Sequence, residues 1–216
     1  MPTFQQFISR YPRKVYRKGQ TILLKGANPK TVHIIESGMV KTYTIDQDGG
    51  EHLVTIINAH EDFPVAYTVG HIDVAPYFYE AFDRCVIRMI PREEYLNYLH
   101  SDIETLYERH TRLATLLSSA LGRIEQLEQR YAKDKVVGAL IYIADRFSVM
   151  FGRPRRTLNV SVTQQEIANL LGLTRETTSV ELKKLEAMDL LTHSRQSYTL
   201  YIERLRKYQQ DSTRIG

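Results

Sequence analysis

The spacing of apolar residues changes near residue 101 and divides the chain into two kinds of sequence. Before that point, short runs of β-branched and aromatic residues alternate with glycine, proline and asparagine, as in Tyr16–Gly26, Thr31–Ile45 and Glu51–Ile57. Such runs predict short strands joined by turns, and Cys85–Pro91 is predicted to be the last of them. Many short strands with regular turns predict a small antiparallel barrel or roll over residues 1–100.

A long helix with one apolar seam is predicted for residues 101–132. Its apolar positions recur at alternating steps of three and four, which is the repeat of a coiled coil. The seam consists of Ile103, Leu106, His110, Leu113, Leu117, Ala120, Ile124, Leu127 and Tyr131. Because such a seam often meets its own copy, it predicts a two-fold homodimer. The alternative is an amphipathic helix packed on its own roll. His110, the polar member, is interpreted as a register-setting or partly solvated residue, with a pH switch as the alternative.

The last third of the chain, residues 133–216, predicts a winged helix-turn-helix domain. Apolar spacing predicts a helix at Asp134–Gly152, and TQQEIANLLGLTRETTSVELKKLEAMDLL, Thr163 to Leu191, predicts two more with a turn at Gly172. Short strands are predicted at Thr157–Val162, Leu190–His193 and Tyr198–Ile202. Two helices followed by a hairpin give the order of a winged helix, and with the roll they define an α+β protein.

The second helix of this motif has two distinct faces. Thr163 and Glu166 form a capping box that begins the first helix, and Thr174 caps the second. The stripe predicted to be buried in the second helix consists of Thr178, Leu182 and Leu185. The opposite face carries Arg175, Glu176, Ser179, Val180 and Lys183. A helix N-terminus with short hydroxyls suits phosphates, Arg can bind guanine and Glu can accept from cytosine. A winged helix that only binds other proteins is the alternative.

The charge of the chain is uneven. From Arg153 onwards there are 11 Lys and Arg against 7 Asp and Glu, a net of +4, whereas residues 1–152 carry 18 of each sign. The excess positive charge marks the last third as the part that a polyanion would contact. The alternative interpretation is an ordinary solvated basic surface.

Composition and missing motifs argue against several other classes. No apolar run approaches the ~20 residues that span a bilayer, and the first residues lack a signal-peptide core, so we expect a cytoplasmic protein without membrane association. The single Cys85 excludes an internal disulfide and an all-cysteine metal site. Without a phosphate loop, nucleophile elbow or His–Glu metal spacing, we do not expect an enzyme. We also expect no bound cofactor, and a haem held by His71, His33 or Cys85 is the alternative. An adaptor that uses only the coiled coil is the rival class.

The sequence resembles the CRP/FNR family of transcription regulators over nearly its whole length. The stretches that carry the resemblance are YRKGQTILLKG, HIIESGMVKTY and TQQEIANLLGLTRETTSVELKKLE, in family order. The resemblance implies a β-roll sensor like a cyclic-nucleotide-binding domain, a dimerisation helix and a winged helix that binds palindromic double-stranded DNA, with RNA polymerase as a further partner. It implies base contacts from Arg175, Glu176 and Ser179, with Val180 on the same face. It implies phosphate contacts from Thr163, Gln165, Thr174 and Thr177, and Lys183 is a further phosphate candidate.

The chain departs from the family pattern at two places. Val180 stands where the family usually has an Arg that contacts guanine, and its methyl groups suit a thymine methyl instead, which predicts a different half-site. In the sensor, Pro64–Val65 and Ala75–Pro76 replace the Gly-Glu and Arg-Ser pairs of the nucleotide-binding members. A desolvated phosphate then lacks charge partners, so we expect no response to cyclic AMP. A cyclic-nucleotide-responsive regulator with an atypical pocket is the alternative.

The region after residue 62 is rich in aromatic residues. The rings considered are Phe63, Tyr67, Tyr77 and Tyr79. They are interpreted as filling the core of the roll, and the alternative is that they line an apolar pocket for an effector. The sequence identifies no effector.

Overall fold

The computed structural model of the chain describes residues 3–148, 157–194 and 197–213. These residues form two compact units. The first unit contains the described residues up to Thr44 together with Val54–Leu116, and the second contains Ile45–Leu53 together with the described residues from Leu117 onwards. Within these ranges, no helix is long and apolar enough to cross a bilayer.

The predicted β-roll is confirmed as two four-stranded antiparallel sheets. Their strands are β1 Arg13–Tyr16, β2 Thr21–Leu23, β3 Thr31–Ser37, β4 Val40–Ile45, β5 Glu51–Ile57, β6 Asp62–Phe63, β7 Phe78–Ala81 and β8 Cys85–Pro91. One sheet has the order β1-β8-β3-β6 and the other the order β2-β7-β4-β5. The predicted run Thr31–Ile45 divides at Gly38, whose φ is 86°. A Cβ there would lie 2.5 Å from the Arg84 carbonyl oxygen, so only glycine fits this turn.

Two apolar cores stabilise the first unit. The first core contains Ile35, Val40, Phe63, Tyr79 and Ile87 among others, all almost fully buried. The second core lies under three helices that the sequence analysis did not predict, α1 Phe4–Ile8, α2 Val65–Thr68 and α3 Arg92–Ser101. Burial of these aliphatic and aromatic side chains is the main favourable contribution to folding.

The long helix is shorter than the range 101–132 that was predicted from the apolar seam. Helix α4 spans Ile103–Leu127 and is followed by α5 at Ala132–Ser148. It begins at Ile103 because Asp102 has an extended backbone and its side chain accepts a hydrogen bond from the Thr105 amide, 3.3 Å away. Tyr131 lies beyond the end of α4, and its carbonyl accepts hydrogen bonds from the first turn of α5. Of the predicted helix Asp134–Gly152, residues 149–152 lie outside the described part.

Most of the predicted seam is exposed in the single chain. The exposed fraction is 74% at Ile103, 60% at Leu117 and 56% at Ile124, and Leu127 is the half-buried exception among its members. Side chains of this size are seldom left in water along one whole helix face. The exposed seam is therefore consistent with pairing with a second copy, which stays a prediction.

The second unit has the predicted winged-helix order with one additional helix. It contains β9 Thr157–Val160, α6 Gln164–Leu171, α7 Arg175–Ala187, β10 Leu191–Ser194, β11 Ser197–Tyr201 and α8 Ile202–Thr213. The three strands form an antiparallel sheet in the order β10-β11-β9. The predicted strand Tyr198–Ile202 is shifted by one residue, because β11 already begins at Ser197 and α8, which was not predicted, begins at Ile202. Arg206 of α8 pairs with Asp145 of α5 at 2.5 Å.

A half-buried arginine joins three segments of the second unit. Arg123 of α4 donates hydrogen bonds to the carbonyl oxygen of Leu53, at 2.5 Å, and to that of Leu170, at 2.8 Å. Leu53 belongs to β5 and Leu170 lies in the last turn of α6, where carbonyl groups have no partner within the helix. Burial lowers the pKa of this guanidinium. Arg123 therefore connects Leu53 to α6 within this unit.

The burial of His33 makes the stability of the first unit depend on pH. The imidazole of His33 is 4% exposed and stacks on Phe63 with ring centroids 5.1 Å apart. Burial lowers its pKa from 6.5 to about 4, so the folded state prefers the neutral ring. The unfolded chain binds the proton near pH 6.5, and stability is therefore lost as the pH falls from about 6.5 towards 4. Between pH 7 and pH 5 the loss amounts to about 2 kcal/mol.

A His33→Phe variant is expected to lose this part of the pH dependence. Urea unfolding followed by circular dichroism at pH 7 and pH 5 gives the free energy of unfolding of variant and wild type, and the comparison cancels all other titrating groups. His100→Phe is the matched control, since His100 is exposed. Equal losses of stability in wild type and His33→Phe would contradict this assignment.

Candidate nucleic-acid interface

The first helix of the candidate interface begins at the predicted capping box. The Thr163 hydroxyl oxygen accepts a hydrogen bond from the Glu166 amide at 3.1 Å, and the Glu166 carboxylate accepts one from the Thr163 amide at 2.7 Å. The helix ends at Gly172, which has a left-handed backbone with φ of 63°. Ile167 and Leu170 are fully buried and anchor the helix on the rest of the unit. The local sequence therefore sets both ends of α6.

The second helix, α7, buries the stripe that its sequence predicted. Thr178, Leu182 and Leu185 are at most 2% exposed, and the Thr178 hydroxyl donates to the Thr174 carbonyl. The Thr174 hydroxyl accepts a hydrogen bond from the Thr177 amide at 3.1 Å, which caps the N-terminus. Glu181, which the sequence analysis did not consider, is also buried and is paired with Lys184 at 2.8 Å. Packing thus fixes which face of α7 points to solvent.

That solvent face carries the predicted base-contacting residues. Arg175, Glu176 and Lys183 are exposed, and Ser179 is partly exposed. Val180 is 52% exposed, so it does not pack inward beside Leu185. An uncharged, accessible side chain in the middle of a polar helix face is free to contact a partner, since the fold does not bury it.

Candidate phosphate-binding groups surround the ends of both helices. Thr163, Gln165 and Thr174 are exposed, and Thr177 is partly exposed with its hydroxyl 2.9 Å from that of Thr174. The side-chain amide of Gln165 donates to the Asn169 side-chain oxygen at 2.7 Å, which orients it along α6. Free backbone N–H groups and hydroxyls at two helix N-termini are well suited to bind phosphate oxygens.

A concavity of about 420 Å³ connects these groups with the wing. It brings Thr163, Gln165 and Arg175 next to His193 of β10 and Tyr198 of β11. The His193 ring stacks on Tyr198 with centroids 4.7 Å apart, and its backbone N–H donates to Glu186 at 2.9 Å. His193 could not be predicted as a site residue from the sequence, because it follows the motif and no local spacing connects it to the two helices.

The four aromatic residues considered for an effector pocket lie at two different places in the first unit. Phe63, Tyr77 and Tyr79 line a cavity of about 560 Å³, whereas Tyr67 does not. Tyr67 instead lies in the second core, where the Arg92 guanidinium is 5.5 Å from its ring. Tyr67 therefore does not line this cavity, because α2 places it in the second core with residues of α1 and α3, and the effector pocket itself stays a prediction.

The titratable side chains of the part of the chain that the structure describes form no cluster suited to a metal ion. Among the described residues, no three or more His, Cys, Asp and Glu side chains cluster as metal ligands would. The Cys85 thiol is buried and lies 2.7 Å from the Met39 carbonyl oxygen. Burial raises the pKa of this thiol to about 12, which keeps it in the unreactive protonated form.

Two protein-family models match this chain, one in its first part and one in its last part. Residues 13–102 match the model of the cyclic nucleotide-binding domain, and residues 134–208 match that of the Crp-like helix-turn-helix domain. The fumarate and nitrate reduction regulatory protein of Vibrio cholerae is 28% identical over 170 residues, which are 78% of this chain and 66% of that protein. The Escherichia coli protein of that name is 28% identical over 75% of this chain and 64% of its own length. The chain thus spans slightly under two thirds of these relatives.

Solved structures share the fold. The c-di-GMP responsive global regulator CLP of Xanthomonas campestris superimposes with a TM-score of 0.75 at 22% identity, over 92% of this chain and 98% of that one. A CRP/FNR-family transcriptional regulator from Thermus thermophilus gives a TM-score of 0.71 at 19% identity, over 92% and 98% of the two chains. The chain belongs to the CRP/FNR family of transcriptional regulators.

Proposed function

We propose that the protein is a sequence-specific transcription regulator that binds palindromic double-stranded DNA as a homodimer through helix α7. The observation that carries this proposal is the face of α7 itself. Its buried stripe is fully packed, and its opposite face presents Arg175, Glu176, Ser179 and Val180 at a capped N-terminus. In a helix-turn-helix domain, the N-terminal residues of the second helix contact base edges in the major groove.

Each side chain has a distinct role in this proposal. Arg175 donates to guanine, Glu176 accepts from cytosine, Ser179 contacts either base and Val180 meets a thymine methyl group. The phosphate contacts come from Thr163, Gln165, Thr174, Thr177 and Lys183, which set the position of α7 without distinguishing sequences. The relatives are named as regulatory proteins, which supports a role in regulation.

The exposed seam of α4 supplies the two-fold symmetry that a palindrome requires. As a regulator, the protein would act on DNA in the cytoplasm, with RNA polymerase as a further partner and without a catalytic role.

The rival function is an adaptor that uses the seam alone, and the exposure of the seam favours it as much as it favours a DNA-bound dimer. The salt dependence of DNA binding separates the two. A protein that makes six to ten phosphate contacts loses about 10³–10⁵ in affinity between 50 and 200 mM salt.

A Lys183→Ala variant should weaken binding to all DNA sequences alike. Because Lys183 is exposed on α7 and contacts phosphate in this proposal, its loss should reduce the slope of log affinity against log salt by about 1 per half-site. Fluorescence anisotropy with a labelled duplex at several salt concentrations measures the slope. Lys184→Ala is the matched control, since it removes the same charge from a side chain that pairs with Glu181. An unchanged slope in Lys183→Ala, or no salt dependence in the wild type, would contradict the proposal.

A further inference from the structure

Two adjacent residues in the middle of α7 break the apolar pattern of the helix in opposite senses. Val180 is apolar and 52% exposed, whereas the next residue, Glu181, is charged and 9% exposed. Glu181 lies three residues after Thr178 and four before Leu185, both of which are buried. It therefore occupies the buried stripe of α7, at a position where helical spacing predicts an apolar side chain. Departures of this kind from the local pattern are expected at functional positions.

The buried carboxylate of Glu181 is only partly compensated. Its Oε1 atom accepts a hydrogen bond from the Lys184 ammonium at 2.8 Å, but Lys184 lies on the same helix and its side chain is 56% exposed. The Oε2 atom is buried and has no hydrogen-bond partner among the described residues. Because a carboxylate loses its hydration on burial, a single exposed lysine compensates this loss incompletely. An apolar residue at this position is therefore expected to give a more stable fold.

A lysine of α5 lies within electrostatic reach of this carboxylate. Helix α5 packs against both α7 and α8. The Lys133 ammonium lies 5.3 Å from the centre of the Tyr208 ring of α8. A hydrogen bond to Tyr208 raises the pKa of Lys133, and the negative charge of Glu181 acts in the same direction. Glu181 of α7 and Tyr208 of α8 thus act on the same cation, at the beginning of α5.

We propose that Glu181 is a positioning residue for DNA recognition, whose buried charge fixes the rotation of α7 on α5. An apolar side chain shifts along an apolar neighbour with little change in energy, because the hydrophobic effect has no direction. A charged pair has a preferred geometry, so the carboxylate between Lys184 and Lys133 holds α7 in one setting. In that setting Val180 and the other base-contacting residues face the DNA. This inference rests on the proposed function, since it concerns how accurately α7 contacts bases.

Replacement of Glu181 by an apolar residue should change stability and specificity in opposite directions. Glu181→Leu and Glu181→Met remove the buried charge and introduce good helix formers of similar size, so the melting temperature should stay the same or rise. The ratio of the affinity for the preferred site to that for an unrelated duplex should fall about ten-fold or more, which is the effect of one lost base contact. A residue that only stabilises the fold does not produce this combination.

Asp189→Asn is the matched control for the loss of negative charge. Asp189 is exposed just beyond α7 and has a φ of 55°, a backbone conformation that Asn also adopts. Its replacement should raise the affinities for both duplexes alike, because less negative charge repels phosphate, and should leave their ratio unchanged.

Fluorescence anisotropy with both labelled duplexes at one fixed salt concentration measures the ratio, and calorimetry of the full-length protein without DNA measures the melting temperature. An unchanged ratio in either Glu181 variant would overturn the proposal. A ratio that falls only together with the melting temperature would also overturn it, since Glu181 would then be an ordinary stabilising residue. An equal fall in Asp189→Asn would assign the effect to net charge, with the same consequence. A wild type that binds both duplexes equally would contradict the proposed function and this inference together.

Discussion

A Leu117→Asp protein should be a monomer that no longer binds a palindromic site. Leu117 is 60% exposed in the single chain and lies on the predicted seam of α4. In a two-fold dimer this side chain is buried twice, and each loss of a buried leucine costs ~2–5 kcal/mol before the burial of a charge is added. The dimer dissociation constant should therefore rise at least about a thousand-fold. Analytical ultracentrifugation at micromolar concentration measures this change.

The neighbouring residue provides a matched control for this variant. Ser118 is exposed on α4 but lies outside the seam, so Ser118→Asp introduces the same charge one residue away. It should remain dimeric and bind DNA. Because Leu117 is not part of either apolar core of the first unit, both variants should retain the circular dichroism spectrum of the wild type. A dimeric Leu117→Asp protein would show that the seam assignment is wrong.

Removal of Arg175 should weaken binding to the preferred site and relax its sequence at one base pair in each half-site. A bidentate contact from arginine to guanine contributes ~1–3 kcal/mol of discrimination, and a dimer makes the contact twice. Glu176→Ala should relax a neighbouring position with a smaller loss of non-specific affinity, because the carboxylate also repels phosphate. Affinities for single-base variants of the site, measured at one fixed salt concentration, test both expectations. Equal losses for all sequences would assign Arg175 to phosphate instead.

A Val180→Arg variant should gain a guanine preference that the wild type lacks. The side chain at 180 is 52% exposed, so an arginine there meets no core and should leave the melting temperature unchanged. Ala187→Arg is the matched control, because it adds the same charge at the exposed C-terminal end of α7. A lowered melting temperature of Val180→Arg together with an unchanged site preference would contradict the groove-facing position of Val180.

The elements with local signals could be predicted from the sequence. The capping box of Thr163 and Glu166 fixes the start of α6 within a few residues, and the buried stripe of α7 follows from helical spacing. The solvent-facing position of Val180 follows from the same spacing. These features depend on interactions between residues three or four apart, which a single sequence contains.

The elements that escaped prediction depend on contacts distant in sequence. Helix α3 follows Pro91, and its apolar residues are few, so only the core beneath it distinguishes this helix from a polar loop. Helix α8 is amphipathic but strongly polar, so few apolar residues mark it in the sequence. Arg109 is the clearest case, since a charged residue beside a seam is expected in solvent, yet the roll and Phe4 bury it. Only the folded chain brings Arg109 together with Asp62 and Phe4.

Selection of bound sequences from random double-stranded DNA by the purified wild-type protein measures whether a dimer binds specific DNA through α7. We predict a gapped palindrome whose half-sites lie about one helical turn, 10–10.5 base pairs, apart. Within each half-site, a guanine should depend on Arg175, and a neighbouring thymine should give way to guanine in Val180→Arg. Recovery of no common sequence, or of a single half-site without symmetry, would contradict the claim that a dimer binds specific DNA through α7.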